Sequence, residues 1–342
     1  MTESRHTNIP FELSDYVLGR KFREIGEAQG WLDDSHAAVA LSGGGDSVAL
    51  LWMCSKFFSG KVTAIHVNHG IRGQESDEDE DFSRQLSQNL GADFLSVKVS
   101  VPNEQRTGES LETAARRLRI QALRNSAASL NIHTVLLAHN RDDLAETVLF
   151  NILRGTGIRG AVGITESSDY GGIRFCRPLL GMRREFLRDI LRVRGISWRE
   201  DSSNNDNSYT RNYIRSVLFP EISSRINASA VEHLAQFGSD MRPVRELEDE
   251  HSRELFASCI VSDSVLDWRK LRTLSLDDTA LVIREAGRRL GLRTLSRRRC
   301  DELAGLMSGE KGFTFQWCGG VTVTGRKGRI EIHGHTGIDS TN

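Results

Sequence analysis

From residue 36 onward, short apolar or β-branched runs alternate with longer amphipathic ones. HAAVAL is followed by DSVALLWMCSKFF, KVTAIHVN by a charged stretch over 76–90, FLSVKV by the long segment 109–128, and HTVLLA by 141–153. Short apolar runs suit buried strands, and the stretches between them carry helical periodicity. The order strand, helix, strand, helix predicts an α/β fold, an open and mostly parallel sheet with helices on both faces. In such sheets a ligand sits beyond the carboxyl ends of the strands, where the strand-to-helix loops gather. After Pro220 the pattern changes to helical segments at 222–239, 245–259, 277–290 and 296–306, then to the strand-like pieces FTFQW, GVTVTG and RIEIHG. Three regions are expected: a helical N-terminal extension over 1–35, the α/β domain over 36–220, and a smaller helical α+β domain over 221–342 ending in short strands.

A chain of 342 residues accommodates two such domains, and its 38% apolar and 27% charged content is that of an ordinary globular protein. No apolar run approaches the roughly 18 residues a membrane helix needs. The opening MTESRHTNIPFELSDY lacks the basic-then-apolar order of a signal peptide, so no membrane partner and a cytoplasmic location are expected. The cysteines (Cys54, Cys176, Cys259, Cys300, Cys318) are odd in number and widely spaced, which argues against a disulfide framework, a zinc ribbon or an iron–sulfur site. Net charge is −1, so any attraction for nucleic acid must come from local basic patches.

The stretch LSGGGDSVAL, 41–50, follows a strand and opens a helix. Gly43, Gly44 and Gly45 let the backbone approach an anion with its amides inward, and the helix start adds N–H donors and a partial positive charge. Ser42 and Ser47 can add hydroxyl donors. The loop is neither a Walker A sequence nor a dinucleotide fingerprint. Asp46 suits phosphate only if a divalent cation such as Mg²⁺ bridges them. The plain alternative is a tight glycine turn with Asp46 as helix N-cap.

SGGGDS resembles the SGGxDS loop of the PP-loop ATP pyrophosphatase superfamily, the adenine nucleotide alpha hydrolase-like fold, which includes GMP synthetases, asparagine synthetases, tRNA thiolases and tRNA(Ile)-lysidine synthetases. Four further stretches resemble the lysidine synthetases in order and spacing: HVNHGIRG (66–73), AARRLRIQAL (114–123), LLAHNRDDLAETVLFNILRGTGIRG (136–160) and REDSSNNDNSYTRNYIRSVLFP (199–220). The chain departs from that pattern at Asn140, where a second His is usual, at Leu144 in place of Gln, and at WCGGV in place of a Leu-Pro before two glycines. It also carries an N-terminal extension and ends where longer members continue.

The resemblance implies a ligase that joins free L-lysine to carbon 2 of the wobble cytidine of tRNA(Ile) with a CAU anticodon, through an adenylated cytidine, with ATP giving AMP and pyrophosphate. It places ATP phosphates on Ser42, Gly43, Gly44, Gly45, Asp46 and Ser47, and Mg²⁺ on Asp46. Asp143 and Glu146 then hold and deprotonate lysine, which brings two ammonium groups to the site. Asp142, Asp143 and Glu146 share a helix face by spacing alone, where dipole complementation would serve as well. His66, His69, His139 and Arg119 are candidates to contact nucleotide or base; for the first two, simple loop capping weighs equally. Arg116, Arg117 and Arg119 can meet phosphate or line a solvated helix face. Arg211, Asn212 and Arg215, interleaved with Tyr209 and Tyr213, offer phosphate donors and a stacking surface for tRNA. The runs RREFLRDILRVR (183–194) and RRLGLRTLSRRR (288–299) are the basic patches available to a tRNA backbone, or ordinary solvated helices. A homodimer is left open. The rival readings are a PP-loop tRNA thiolase, which typically enlists paired or catalytic cysteines, and a tRNA-binding homologue altered in catalysis.

Overall fold

The computed structural model describes residues 10–70, 74–106, 108–200 and 210–334. They form two compact units, Met1–Met241 and Arg242–Asn342. The strands of the first unit are β1 (His36–Ala40), β2 (Lys61–Asn68), β3 (Asp93–Lys98), β4 (Thr134–Leu136), β5 (Ser167–Tyr170) and β6 (Ile173–Cys176). They lie in the order β3-β2-β1-β4-β6-β5; all neighbours are parallel except β5, which pairs antiparallel with β6 at the edge.

Strand alternation sorts the sheet's side chains onto two faces. Ala37, Val39, Leu41, Val62, Ala64, Leu136 and Cys176 enter one core, whereas Ala38, Ile65, Val135, Leu137, Ile173 and Phe175 enter another. The first core receives α1 (Asp15–Gln29) and α2 (Gly45–Phe57), and α3 (Gln74–Asn89) borders it through Phe82 and Leu86. The second, beyond α4 (Val101–Glu104), receives Leu123 and Ala127 of α5 (Leu111–Ser129). Helices therefore cover both faces, the expected α/β arrangement. Helix α2 is buried continuously from Ser47 to Cys54, as a helix apolar on all sides must be.

Residues 10–35 contribute to this core. Ser14 caps α1 by accepting from the Val17 amide, Gly30 ends it with φ 68°, and Leu18, Phe22 and Trp31 are fully buried. Burial of Leu18 and Phe22 stabilises the unit by roughly 1.5–3 kcal/mol each.

Beyond β4 come α6 (Arg141–Leu153), α7 (Ile158–Ala161), α8 (Arg184–Arg192), α9 (Thr210–Tyr213), a π-helical turn at Ile214–Leu218, α10 (Phe219–Arg225) and α11 (Ala230–Cys259). Pro220 stands in the first turn of α10, where its missing N–H costs nothing, so it opens a helix instead of ending a domain. Val231 and Ala235 of α11 then pack in one cluster with Leu144 and Val148 of α6. The first unit consequently runs about a helix past the boundary expected at 220. Leu144, a departure from the resembled pattern, is simply a core residue of that cluster.

The second unit holds β7 (Ile260–Ser262), β8 (Val265–Asp267), α12 (Trp268–Leu271), α13 (Leu276–Arg289), α14 (Arg297–Ser308), β9 (Phe313–Gln316), β10 (Thr322–Arg326) and β11 (Arg329–His333). The strands make an antiparallel sheet in the order β7-β8-β11-β10-β9 around Trp268, Val282, Ile283, Leu303, Phe315 and Val323. The hairpin β7–β8 adds two strands to the three expected from sequence. No helix among the described residues is long and apolar enough to cross a membrane.

Candidate active site

From β1 the chain builds β2 and β3 on one side and returns to place β4 on the other, so the loops after β1 and β4 diverge. Such a switch point is where an open α/β sheet leaves its ligand crevice. Residues 41–44 form one wall and residues 137–140 the other.

The glycine loop is braced from within. Gly43 has φ 86°, a conformation side-chain-bearing residues rarely adopt. The Ser42 and Ser47 hydroxyls lie 3.1 Å apart, Ser47 Oγ donates to the Gly44 carbonyl at 2.9 Å, and the Ser42 amide donates to Ser47 Oγ at 3.2 Å. The helix N-cap is Gly44, with no side-chain cap, so Asp46 does not cap α2 but sits in its first turn. The first-turn amides are thereby left for an anion. A strap holds the loop from outside: the Arg199 amide donates to the Gly43 carbonyl at 3.0 Å, and a Cβ on Gly45 would meet the Trp198 ring at 3.4 Å. Arg199 pairs in turn with Asp79 of α3.

The opposite wall begins α6. Asn140 Oδ1 accepts from the Asp143 amide at 2.9 Å, and Asp143 Oδ2 accepts from the Asn140 amide at 3.0 Å, a reciprocal capping box. This box fixes Asp143, and Glu146 follows on the same helix face. Facing them is Arg184 at the start of α8. Its guanidinium reaches Asp143 Oδ1 at 2.6 Å, Glu146 Oε1 at 3.3 Å and Asp46 Oδ2 at 3.5 Å. Arg215 pairs with Glu146 at 2.8 Å and Asp143 at 3.3 Å, and Arg183 pairs with Asp142 at 3.1 Å and with Glu232. Three carboxylates from the starts of two helices therefore converge on one cation.

Burial pushes Asp46 up to about 6, with Asp143 adding to the rise and Arg184 opposing it. Burial likewise raises Asp143, against Arg184 and with Glu146. Burial would lower Arg184, yet Asp143, Glu146 and Asp46 outweigh it and hold the guanidinium firmly charged. Asp46 Oδ1 is buried with no hydrogen-bond partner. A carboxylate oxygen whose lone pairs are unengaged beside a phosphate loop fits one ligand position of a Mg²⁺ ion, whose remaining ligands phosphates and water usually supply. No larger cluster of metal-ligating side chains occurs among the described residues.

His66 is buried and donates from Nδ1 to the Leu41 carbonyl at 2.9 Å, so Nε2 is the acceptor nitrogen of the neutral ring; burial holds its pKa down. His69 lies in the loop after β2, beside Asn68, whose Oδ1 accepts from the Gly70 amide. His139 is held neutral by burial and by Arg119, Arg177, Arg116 and Arg211, in that order. Burial brings Arg119 down to about 10, still charged at neutral pH. His139 Nδ1, Asn140 Nδ2 and Arg119 Nε are all buried without partners, three polar groups gathered at the end of β4.

These contacts show where the basic runs of the sequence fall. The run 183–194 is not an open basic patch: Arg183 and Arg184 neutralise the carboxylates, Arg188 faces Glu200, Arg192 pairs with Glu185 and Asp189, and Arg194 pairs with Asp15 and covers Trp52. Arg215 is drawn onto Asp143 and Glu146 as well. Of Arg116, Arg117 and Arg119 on α5, Arg117 is bound to Glu109. In 288–299, Arg288 and Arg289 pair with Glu285, Arg297 with Asp301 and Arg299 with Glu302. Arg211 lies over Phe150, the Asn212 carbonyl accepts from Ser216, and Tyr213 is exposed. Tyr209 lies outside the described residues. Sequence reasoning missed Arg184 and Trp198, neither of which carries a local pattern that marks it.

Residues 17–222 match the PP-loop domain family. The tRNA(Ile)-lysidine synthase of Thermus thermophilus is 42% identical over 200 residues, 58% of this chain and 38% of that one. That of Solibacter usitatus is 37% identical over 201 residues, 59% and 44% of the two chains, and that of Symbiobacterium thermophilum 33% over 253 residues, 71% and 51%. The chain thus spans about half the length of the curated relatives it matches. Among solved structures, the U34-tRNA thiolase NcsA from Methanococcus maripaludis with its [4Fe-4S] cluster shares the fold, with a TM-score of 0.54 at 16% identity over 65% of this chain and 78% of that one. Because the matched stretch runs from α1 to α10, taking in the whole parallel sheet and both loops at its switch point, the chain belongs to the PP-loop domain family.

Proposed function

We propose that the chain ligates free L-lysine to carbon 2 of the wobble cytidine of tRNA(Ile) with a CAU anticodon. The observation that carries this reading is the convergence of Asp46, Asp143 and Glu146 on one guanidinium beside a phosphate loop. A site that gathers carboxylates around a cation next to an ATP site suits an amine nucleophile. A cavity of about 220 Å³ adjoins it, lined by Asp142, Glu146, Arg183, Arg184 and Arg215 together with Phe219, Pro220 and Val231. The carboxylates take lysine's ammonium groups, an arginine its carboxylate, and the apolar wall its methylene stem.

In the first step the cytosine O2 attacks the α-phosphorus of ATP, and the bond to the bridging oxygen breaks with its electron pair leaving on pyrophosphate. Amides of the loop from Ser42 to Ser47 hold the phosphates. Mg²⁺, held by Asp46, supplies charge neutralisation at those oxygens when bound. In the second step the lysine ε-nitrogen, having given a proton to Asp143 or Glu146, attacks carbon 2. The carbon–oxygen bond breaks and AMP leaves. His66, His69, His139 and Arg119 border the nucleotide and the base, and the second unit is assigned to tRNA contact. A thiolase is disfavoured by the thiols: burial raises Cys54, Cys300 and Cys176, the last to about 11, which makes them poor nucleophiles.

The roles separate in a two-readout assay. With tRNA, ATP and Mg²⁺, Asp143→Asn and Glu146→Gln retain pyrophosphate release but lose lysine transfer by roughly 100-fold or more, whereas Asp46→Asn loses both. Equal loss of both activities in all three variants contradicts the assignment.

A further inference from the structure

Most arginines around the site are bound to carboxylates, but Arg154 and Arg211 have no carboxylate partner among the described residues. Both instead flank one ring: the Arg154 Cζ lies 5.0 Å and the Arg211 Cζ 5.9 Å from the centroid of Phe150. Phe150 is half-buried, and Leu153 (65% exposed), three residues on along α6, and Tyr213 (47%) of α9 expose apolar surface to solvent. Arg211 also acts on His139 at the end of β4, together with Arg116 and Arg119, which likewise pair with no carboxylate among the described residues. A trail of uncompensated cations thus leads from the switch point out along α6.

We infer that this outward half of α6, with α9, seats an unpaired RNA nucleotide adjoining the reacting base, its base stacked at Phe150 and its phosphate held by Arg154 and Arg211. The inference rests on the proposed RNA substrate and deepens it. Helix geometry sets the spacing. Asp143, Glu146, Phe150 and Arg154 follow one another at helical steps of three or four residues, so Phe150 stands roughly 6 Å beyond Glu146 at about 1.5 Å per residue. Two stacked-base steps of about 3.4 Å cover that distance, which makes Phe150 the place for a near neighbour of the base at the carboxylates. An aromatic ring between guanidiniums is a sequence-tolerant stacking platform, and single-stranded loops supply splayed bases to stack. The exposed apolar residues alone would suit a protein partner equally; the paired cations, in a chain of net charge −1, favour a polyanion.

The test is fluorescence anisotropy with an RNA hairpin bearing a CAU loop, titrated between 50 and 200 mM KCl, alongside lysine transfer by the unaltered chain. Arg154→Glu weakens binding and makes the dependence of log Kd on log salt shallower by roughly 0.7 for each phosphate the variant no longer neutralises. Phe150→Leu preserves the packing volume while removing the stacking ring, and raises Kd roughly 5- to 100-fold. Far-UV circular dichroism checks that both variants fold. Wild-type Kd and salt slope in both variants overturn the inference. Lysine transfer by the unaltered chain with unchanged variant binding sinks this surface and spares the activity; RNA binding that both variants weaken, without transfer, sinks the activity and spares the surface.

Discussion

Asn140 is the position where one hydrogen bond holds a helix start and a reacting group together. Its fully buried side chain accepts from the Asp143 amide at 2.9 Å, and Asp143 returns the contact at 3.0 Å while turning its other oxygen to Arg184. Asn140→Ala removes the cap, which typically costs about 1 kcal/mol, and leaves the Asp143 N–H buried and unsatisfied, which brings the total to about 2 kcal/mol. For a unit of this size each kcal/mol lowers the midpoint by about 2–4 °C, so the variant melts roughly 4–8 °C below the parent. Asn140→Ser keeps a capping oxygen and recovers most of the loss. Thermal unfolding followed by circular dichroism measures both. The reasoning fails if the alanine variant melts with the parent, or if serine is no better than alanine, because the oxygen acceptor would then not be what holds α6.

Asp46 titrates at about 6 in the folded chain against 3.8 for an ordinary aspartate. The folded state therefore binds the extra proton between these values, so Asp46 favours folding at low pH and progressively disfavours it as pH rises through about 6, by at most about 3 kcal/mol. Asp46→Asn flattens stability between about pH 4 and 6 and raises it at neutral pH, read by urea melts across pH; an unchanged profile contradicts the buried carboxylate. Gly43→Ala must adopt φ 86° and strains the loop by about 1–2 kcal/mol, so its affinity for ATP, followed by calorimetry, falls about tenfold; parental affinity means the loop conformation is not required. Trp198 lies against the phosphate loop while Trp31, Trp52, Trp268 and Trp317 are buried elsewhere. ATP is accordingly expected to change tryptophan emission in the parent but not in Trp198→Phe, and a change that survives the substitution places the nucleotide elsewhere.

The parallel sheet and the glycine loop are legible in the sequence because strand periodicity, helix periodicity and glycine placement are local signals. The acidic start of α6 is legible for the same reason, as a cap followed by carboxylates. What neutralises it is not: Arg184 meets Asp143 across 41 positions of sequence, and a helix such as 184–192 with charges on one face reads as solvated until its partner is known. The three-residue strands β7 and β8 are too short to show alternation. Pro220 reads as punctuation, whereas the first turn of a helix tolerates proline as well as a loop does. Asn140, a departure when compared by residue type, becomes intelligible through its hydrogen bonds.

The central claim is tested most directly by incubating the chain with radiolabelled lysine, ATP and Mg²⁺, presenting tRNA(Ile) with a CAU anticodon in one reaction and tRNA(Met) in another. The account predicts ATP-dependent label in tRNA(Ile) alone, absent in Asp46→Asn; pyrophosphate release with no label in either tRNA contradicts it and points to another nucleophile.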